Sequence, residues 1–219
     1  RQVLWGMFKK VVIADNLSSH VEYIFSNSKE LNGLTLLIGI ILFAFQIYCD
    51  FSGYSDIAIG TARLFGFNLM QNCRYPYFST NFTEIWRRWH ISLSTWLRDY
   101  LYMPIIIRTR NWKAFGVVFS LIFTFVLCGF WHGAKWTFIV WGFLNALYFL
   151  PLMLLNKNRV NTNTVAQNKT FANLKEVSQI VITFFITVIA WVFFRAENVR
   201  IAFDYLSIMF SKSLFKTFD

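Results

Sequence analysis

Four long stretches with almost no charged residues constrain the fold of this chain more than any other feature of its sequence. A helix needs roughly 20 mostly apolar residues to cross the hydrocarbon core of a bilayer, and each stretch approaches that length. Hydrophobic residues make up 56% of the 219 residues, whereas soluble domains contain roughly 45–50%. We therefore predict an all-α integral membrane protein, with spanning helices over residues 31–51, 114–131, 136–155 and 177–194.

The net charge of +10 is spread along the ends of these stretches instead of forming one basic patch. Lysine and arginine beside spans are the usual topological signal and bind anionic lipid headgroups. We therefore exclude a nucleic-acid partner and expect membrane lipid instead. Seven basic residues share one side of the predicted topology, which is then cytoplasmic: Arg108, Arg110, Lys113, Lys157, Arg159, Lys169 and Lys175.

Two histidines stand inside this apolar sequence. His132 follows the second predicted span in the segment Phe130-Trp131-His132-Gly133, and His90 ends the segment Trp86-Arg87-Arg88-Trp89-His90. An ionisable side chain at membrane depth is costly and marks a functional site by default. The pair indicates proton-transfer chemistry, a proton pathway or a metal site. His132 is expected in a short turn between two spans, with glycine on either side.

His90 belongs to a segment with the spacing of an amphipathic helix. Asn81, with Glu84 three residues later, resembles a capping box, which predicts a helix from about Phe82 to Tyr102. His90 falls on its apolar stripe, together with Trp86, Trp89, Leu93, Trp96, Leu97 and Tyr100. We expect this helix, over 82–102, to lie in the interface or to be re-entrant. Residues 156–176 are expected to form a polar loop.

A polar group of residues follows the first span. Asp50, Ser52, Tyr54 and Asp56 come directly after its apolar core. Two interpretations fit equally well: a helix end at the level of the headgroups, or a polar wall that faces a cavity, where intramembrane acids are usually found.

The chemistry available to a neutral imidazole is to take a proton from a hydroxyl and return it to a leaving group. The sequence contains no G-x-S-x-G elbow and no HExxH metal motif. No pair among the histidines and carboxylates has close ligand spacing, so a metal site is disfavoured and none is assigned.

Five segments of the chain resemble the membrane-bound O-acyltransferases, in the bacterial branch of alginate O-acetylation proteins. They are GMFKKVVIADNL at residues 6–17, DFSGYSDIAIG at 50–60, WRRWHISLSTWLRDYLY at 86–102, FWHG at 130–133 and WVFFRAE at 191–197. Two positions depart from that branch. Residues 105–108 (IIIR) replace a usual Gly-Gly-Asn-Arg turn, and Asn145 replaces a histidine found in many members.

The resemblance implies a multi-helix membrane fold with a central tunnel, of which this chain is a fragment, in the bacterial cytoplasmic membrane. It implies His132 as the active-site histidine and His90 as the second one. It also implies an acyl thioester donor, thought to be acetyl-CoA, and no bound cofactor. A polysaccharide acceptor and a separate extracytoplasmic acetyltransferase partner complete the expected system.

Further roles follow as hypotheses. Arg87 and Arg88 could hold the phosphates of the donor, although contact with lipid headgroups is as good an interpretation. Asp50, Ser52, Tyr54, Asp56 and Trp131 are candidates for lining the tunnel. Two alternative functions stay open: D-alanyl transfer from a carrier protein to teichoic acid, and a proton-coupled transporter that uses the same ionisable residues.

Overall fold

The computed structural model describes residues 1–155, 165 and 172–216, and this part of the chain is helical without a strand. Its α-helices are α1 (Gln2–Met7), α2 (Asp15–Ser26), α3 (Gly33–Leu64), α4 (Phe82–Arg88), α5 (Ile91–Trp96), α6 (Met103–Arg108), α7 (Ala114–His132), α8 (Trp136–Leu154), α9 (Leu174–Arg195) and α10 (Val199–Met209). Contacts divide the chain into two compact units, Arg1–Asn72 with Trp191–Asp219, and Cys73–Ala190.

Among the described residues, four helices are long and apolar enough to cross a membrane: α3, α7, α8 and α9. They overlap the four predicted apolar stretches, and the prediction of an all-α membrane protein is confirmed. The helix α3 continues beyond residue 51, where the predicted span ends, as far as Leu64. Asp50, at the end of the predicted span, and Asp56, in the continuation, are paired with lysines from the N-terminal helix.

The N-terminal segment of the first unit is helical without a break from Gln2 to Ser26, through a π-helical stretch over Phe8–Ala14. Its polar side faces inward: Lys9 is buried, and the apolar side chains at the other side are exposed. These exposed residues include Leu4, Phe8, Val11 and Val12. The arrangement is inverted relative to a soluble protein because lipid solvates apolar side chains, whereas a charge must find a partner inside.

Two glycines allow this segment to approach α3 closely. A Cβ atom on Gly6 would lie 2.6 Å from the carbonyl oxygen of Gly53, and one on Gly53 would lie 2.7 Å from that of Gly6. Only a pair without side chains can bring the two backbones into contact here. Because the two backbones are this close, the side chains of Lys9 and Lys10 reach carboxylates of α3.

Aromatic rings fill the interior of the first unit. Phe25 stacks on Tyr205 with ring centroids 4.7 Å apart, and it meets Phe43 edge-on at 6.1 Å. The hydroxyl of Tyr205 donates to the carbonyl oxygen of Leu36 at 2.7 Å. This bond satisfies the buried phenol and fixes α10 against α3.

The second unit is built around the hairpin of α7 and α8. A Cβ on Gly129 would lie 2.2 Å from the carbonyl oxygen of Phe138, and a Cβ on Gly142 would lie 2.2 Å from that of Phe125. The two helices therefore meet backbone to backbone at two levels, which is how small residues drive helix association in lipid. His132 lies at the closed end of this hairpin.

Two predicted segments differ from the structure. The expected single helix over 82–102 is broken at Trp89 and His90, and continues as α5 and a π-helical stretch, Leu97–Tyr102. The predicted polar loop over 156–176 lies largely outside the described residues. Its last residues are already helical, because α9 begins at Leu174.

Candidate active site

The backbone at His90 forms the first distinctive feature of the site. Asn81 caps α4 by accepting from the amide of Glu84 at 2.9 Å, as the sequence predicted. The helix ends at Trp89, and His90 then adopts a left-handed conformation with φ 44° and ψ 56°. For a residue other than glycine this conformation costs roughly 1–3 kcal/mol and clusters at functional sites.

Local hydrogen bonds hold the strained residue in place. The amide of Ser94 donates to the carbonyl oxygen of His90 at 2.9 Å, and the Ser94 hydroxyl donates to that of Trp89 at 3.1 Å. The hydroxyl of Ser92 lies 3.5 Å from Nδ1 of His90. These bonds hold the backbone of the turn from which the imidazole projects.

The environment of His90 keeps its ring uncharged. The side chain is half-buried, and the imidazole lies edge-on to the ring of Trp131 at a centroid distance of 6.4 Å. Burial lowers the pKa of His90 below its ordinary value of 6.5. The ring is therefore neutral at pH 7 and can accept a proton or a hydrogen bond.

His132 ends α7 inside a set of aromatic rings. Trp141 of α8 stands perpendicular to the imidazole at 5.2 Å, and Phe138 lies at 6.3 Å on the same helix. Trp131 completes the set at 4.9 Å. Gly133 follows with φ 155°, where a Cβ atom would lie 2.8 Å from the Phe138 ring. Glycine at this position therefore lets the chain turn while Phe138 stays against the histidine.

The two histidines lie close together although they are 42 positions apart in the sequence. Both imidazole rings contact the ring of Trp131. The fold of the second unit therefore brings the two histidine segments to one place. Their catalytic roles are not tested by geometry and stay predictions.

The two candidate phosphate ligands differ in their surroundings. Arg88 forms an ion pair with Glu84, one turn back in α4, and both side chains are largely buried. Arg87 is exposed. A donor phosphate would have to compete with Glu84 for Arg88, and the phosphate role of the two arginines stays a prediction.

The polar group on α3 is engaged with the N-terminal helix. Lys9 pairs with Asp56 and donates to the hydroxyl of Ser52 at 2.6 Å, while Lys10 pairs with Asp50. Tyr54 is exposed. These contacts explain the acids as counterions of two lysines that the sequence analysis did not connect to them. Two adjacent lysines within an apolar segment were the signal for such a pairing.

Trp131, the remaining candidate for lining the tunnel, is also exposed, with 62% of its surface accessible. Its ring nevertheless contacts both histidines. Sequence reasoning missed Trp141, because its contact with His132 depends on the register of the hairpin. Within the described ranges, no three His, Cys, Asp or Glu side chains are placed to hold a metal ion.

The chain is similar to one known protein family and to several known proteins. Residues 1–207 match the model of the membrane-bound O-acyltransferase family. The probable alginate O-acetylase AlgI of Azotobacter vinelandii is 42% identical over 206 residues, which cover 94% of this chain and 38% of that protein. The peptidoglycan O-acetyltransferase of Helicobacter pylori is 39% identical over 204 residues, or 93% and 37% of the two chains.

A third relative is more distant. The teichoic acid D-alanyltransferase of Bacillus subtilis is 31% identical over 127 residues, which cover 56% of this chain and 31% of that protein. The chain thus spans less than two fifths of the length of these relatives. The match nevertheless includes both histidine segments and all four apolar helices. This membrane protein chain therefore belongs to the membrane-bound O-acyltransferase family.

Proposed function

We propose that the protein containing this chain is an O-acyltransferase that transfers an acetyl group to a hydroxyl of a cell-surface polysaccharide, with His132 as general base. The observation that carries the proposal is a half-buried imidazole at the closed end of the α7–α8 hairpin, ringed by Trp131, Phe138 and Trp141, with His90 beside it. The names of the alginate and peptidoglycan relatives support an acetyl group and a polymeric acceptor.

The reaction needs one group that moves a proton. The acceptor oxygen attacks the carbonyl carbon of the thioester, a C–O bond forms, and the C–S bond breaks. His132 takes the proton of the hydroxyl and delivers it to the departing thiolate, so that the ring ends as it began. His90, held in its strained turn, orients the hydroxyl or stabilises the charge that develops on the carbonyl oxygen.

The proposed donor is acetyl-CoA or another acyl thioester supplied from the cytoplasm, and no bound cofactor is required. The protein would lie in the bacterial cytoplasmic membrane, and an extracytoplasmic acetyltransferase would complete delivery to the polysaccharide. D-alanyl transfer from a carrier protein is the alternative within the family, favoured by the likeness to teichoic acid D-alanyltransferases. The family match disfavours the transporter alternative, because it explains the same histidines by acyl transfer.

The test is transfer of labelled acetyl from acetyl-CoA by membranes that contain the full-length protein. His132→Ala should lower the rate by about 10²–10⁴-fold, the usual contribution of a general base. His20→Ala is the matched control, because His20 is exposed on α2 and should leave the rate unchanged. Near-normal transfer by the His132 variant would remove that residue from the mechanism, and transfer only from a D-alanyl carrier protein would favour the alternative.

A further inference from the structure

The indole N–H of Trp86 is a buried hydrogen-bond donor without an acceptor among the described residues. Its ring meets Phe125 of α7 edge-on at 4.9 Å and lies 6.1 Å from Trp141 of α8. The indole Nε1 is shielded from the outside and has no hydrogen-bond partner among the residues that the structure describes. An indole N–H can only donate a hydrogen bond, so only an acceptor atom can satisfy it.

An unpaired buried donor costs free energy and calls for an explanation. The surroundings of Trp86 are apolar: Leu121, Phe125 and Ala146 form the cluster against which it packs. A phenylalanine could pack against the same residues without burying a polar atom. The nitrogen is thus a cost to the resting protein, of the kind expected when a ligand supplies the missing acceptor.

The position of Trp86 relative to His132 limits what that ligand can be. Trp141 touches both residues, with its ring 6.1 Å from Trp86 and 5.2 Å from His132. Phe125, against which Trp86 packs, precedes His132 by seven residues of α7, which is about 10 Å along a helix. Trp86 therefore lies close to the reacting centre but too far from it to touch the reacting carbonyl.

The direction of this displacement is set by the orientation of α7. Arg108, Arg110 and Lys113 precede the helix, which places its first residues at the cytoplasmic side. Phe125 and Trp86 are then on the cytoplasmic side of His132. A donor that arrives from the cytoplasm would extend past Trp86 with its acyl end at His132, whereas an acceptor from the opposite side would not.

We propose that Nε1 of Trp86 donates a hydrogen bond to an amide carbonyl oxygen in the pantetheine arm of the acyl donor. This inference rests on the proposed function. A pantetheine thioester carries two amide groups behind the thioester carbonyl, and their oxygens are acceptors that would satisfy the indole. Trp86 then binds the acyl donor. This contact sets the depth of the pantetheine arm at which the acyl group reaches His132.

The experiment uses the full-length protein and compares Trp86→Phe with Trp96→Phe. Loss of one hydrogen bond to the donor should raise the KM for acetyl-CoA by about five- to tenfold with little change in kcat. The thermal midpoint of Trp86→Phe should stay equal or rise, because an unpaired buried donor has been removed. Trp96 lies in the following helix with its ring exposed, so Trp96→Phe should leave the KM unchanged.

Two further measurements separate the hydrogen bond from packing. Benzothienylalanine at position 86 keeps the size of the indole and replaces N–H by sulfur, so it should raise the KM as phenylalanine does. With the acetyl thioester of 2-mercaptoethanol, which has no amide, Trp86→Phe and the wild type should transfer at the same rate. An unchanged KM for acetyl-CoA in both variants, or an equal penalty with both donors, would overturn the inference. Failure of the wild type to use acetyl-CoA would instead overturn the proposed function.

Discussion

Two neighbouring lysines offer a matched test of what holds the N-terminal helix to α3. Lys9 and Asp56 are paired with 8% and 19% of their side-chain surfaces exposed, whereas Lys10 and Asp50 are paired with 40% and 50% exposed. The pairs share the same two helices and the same residue types. Burial is therefore the main difference between them, apart from two further hydrogen bonds of the buried pair: Lys9 donates to the hydroxyl of Ser52, and the amide of Gln2 donates to Asp56 at 3.0 Å.

The magnitudes follow from that difference. Asp56→Asn leaves the buried ammonium of Lys9 without its counterion, and breaking one partner of a buried pair costs roughly 3–5 kcal/mol. Asp50→Asn removes an exposed pair, for which the expected loss is about 0–1 kcal/mol. The hydrogen bond from Lys9 to Ser52 adds roughly 0.5–1.5 kcal/mol, which Ser52→Ala would report separately.

The assay is reversible unfolding in mixed micelles with increasing SDS, followed by circular dichroism. The free energy of unfolding should fall several times more for Asp56→Asn than for Asp50→Asn. The double variant Lys9→Met/Asp56→Leu should recover most of the loss, because two apolar residues leave no unpaired charge. Equal losses for the two single variants would refute the argument from burial, and no recovery in the double variant would show that the charges themselves are required.

Four other predictions concern the second unit. His90→Gly should increase the free energy of unfolding by about 1 kcal/mol, since glycine adopts the left-handed conformation at little cost, yet it should lower acetyl transfer. Because burial lowers the pKa of His90, the unfolded chain binds a proton near pH 6.5 before the folded protein does; stability should fall as the pH drops below about 6.5, and His90→Gln should reduce that dependence. Arg87→Gln should raise the KM for acetyl-CoA without destabilising the protein. Arg88→Gln should instead lower the midpoint of thermal unfolding, because the buried carboxylate of Glu84 loses its positively charged partner. The reverse pattern would contradict the ion pair. Gly142→Ala should weaken the hairpin by more than 2 kcal/mol in the SDS assay, since its Cβ would lie 2.2 Å from a backbone oxygen of α7.

Much of this molecule follows from local sequence alone. Each spanning helix can be predicted from a run of apolar residues, because a helix in lipid forms all its backbone hydrogen bonds internally and needs no partner helix. The cap at Asn81 and the turn after His132 are local as well, since they depend on side chains or glycines within a few residues. His90 and His132 could be recognised as functional for a similar reason: an ionisable group in apolar sequence is costly wherever the chain folds.

Tertiary structure decided what those local patterns could not. The periodicity of residues 82–102 predicted one helix, but the left-handed turn at His90 breaks it, and hydrogen bonds of Ser94 hold that turn. The acids of α3 fitted two interpretations until Lys9 and Lys10 were found against them. Trp141 reaches His132 only because Gly129 and Gly142 bring α7 and α8 into backbone contact. The pattern of hydrophobicity along the chain determines which helices lie in lipid. The partner of a charged side chain or an aromatic ring depends instead on which backbones can approach each other, and this is determined only when the helices pack.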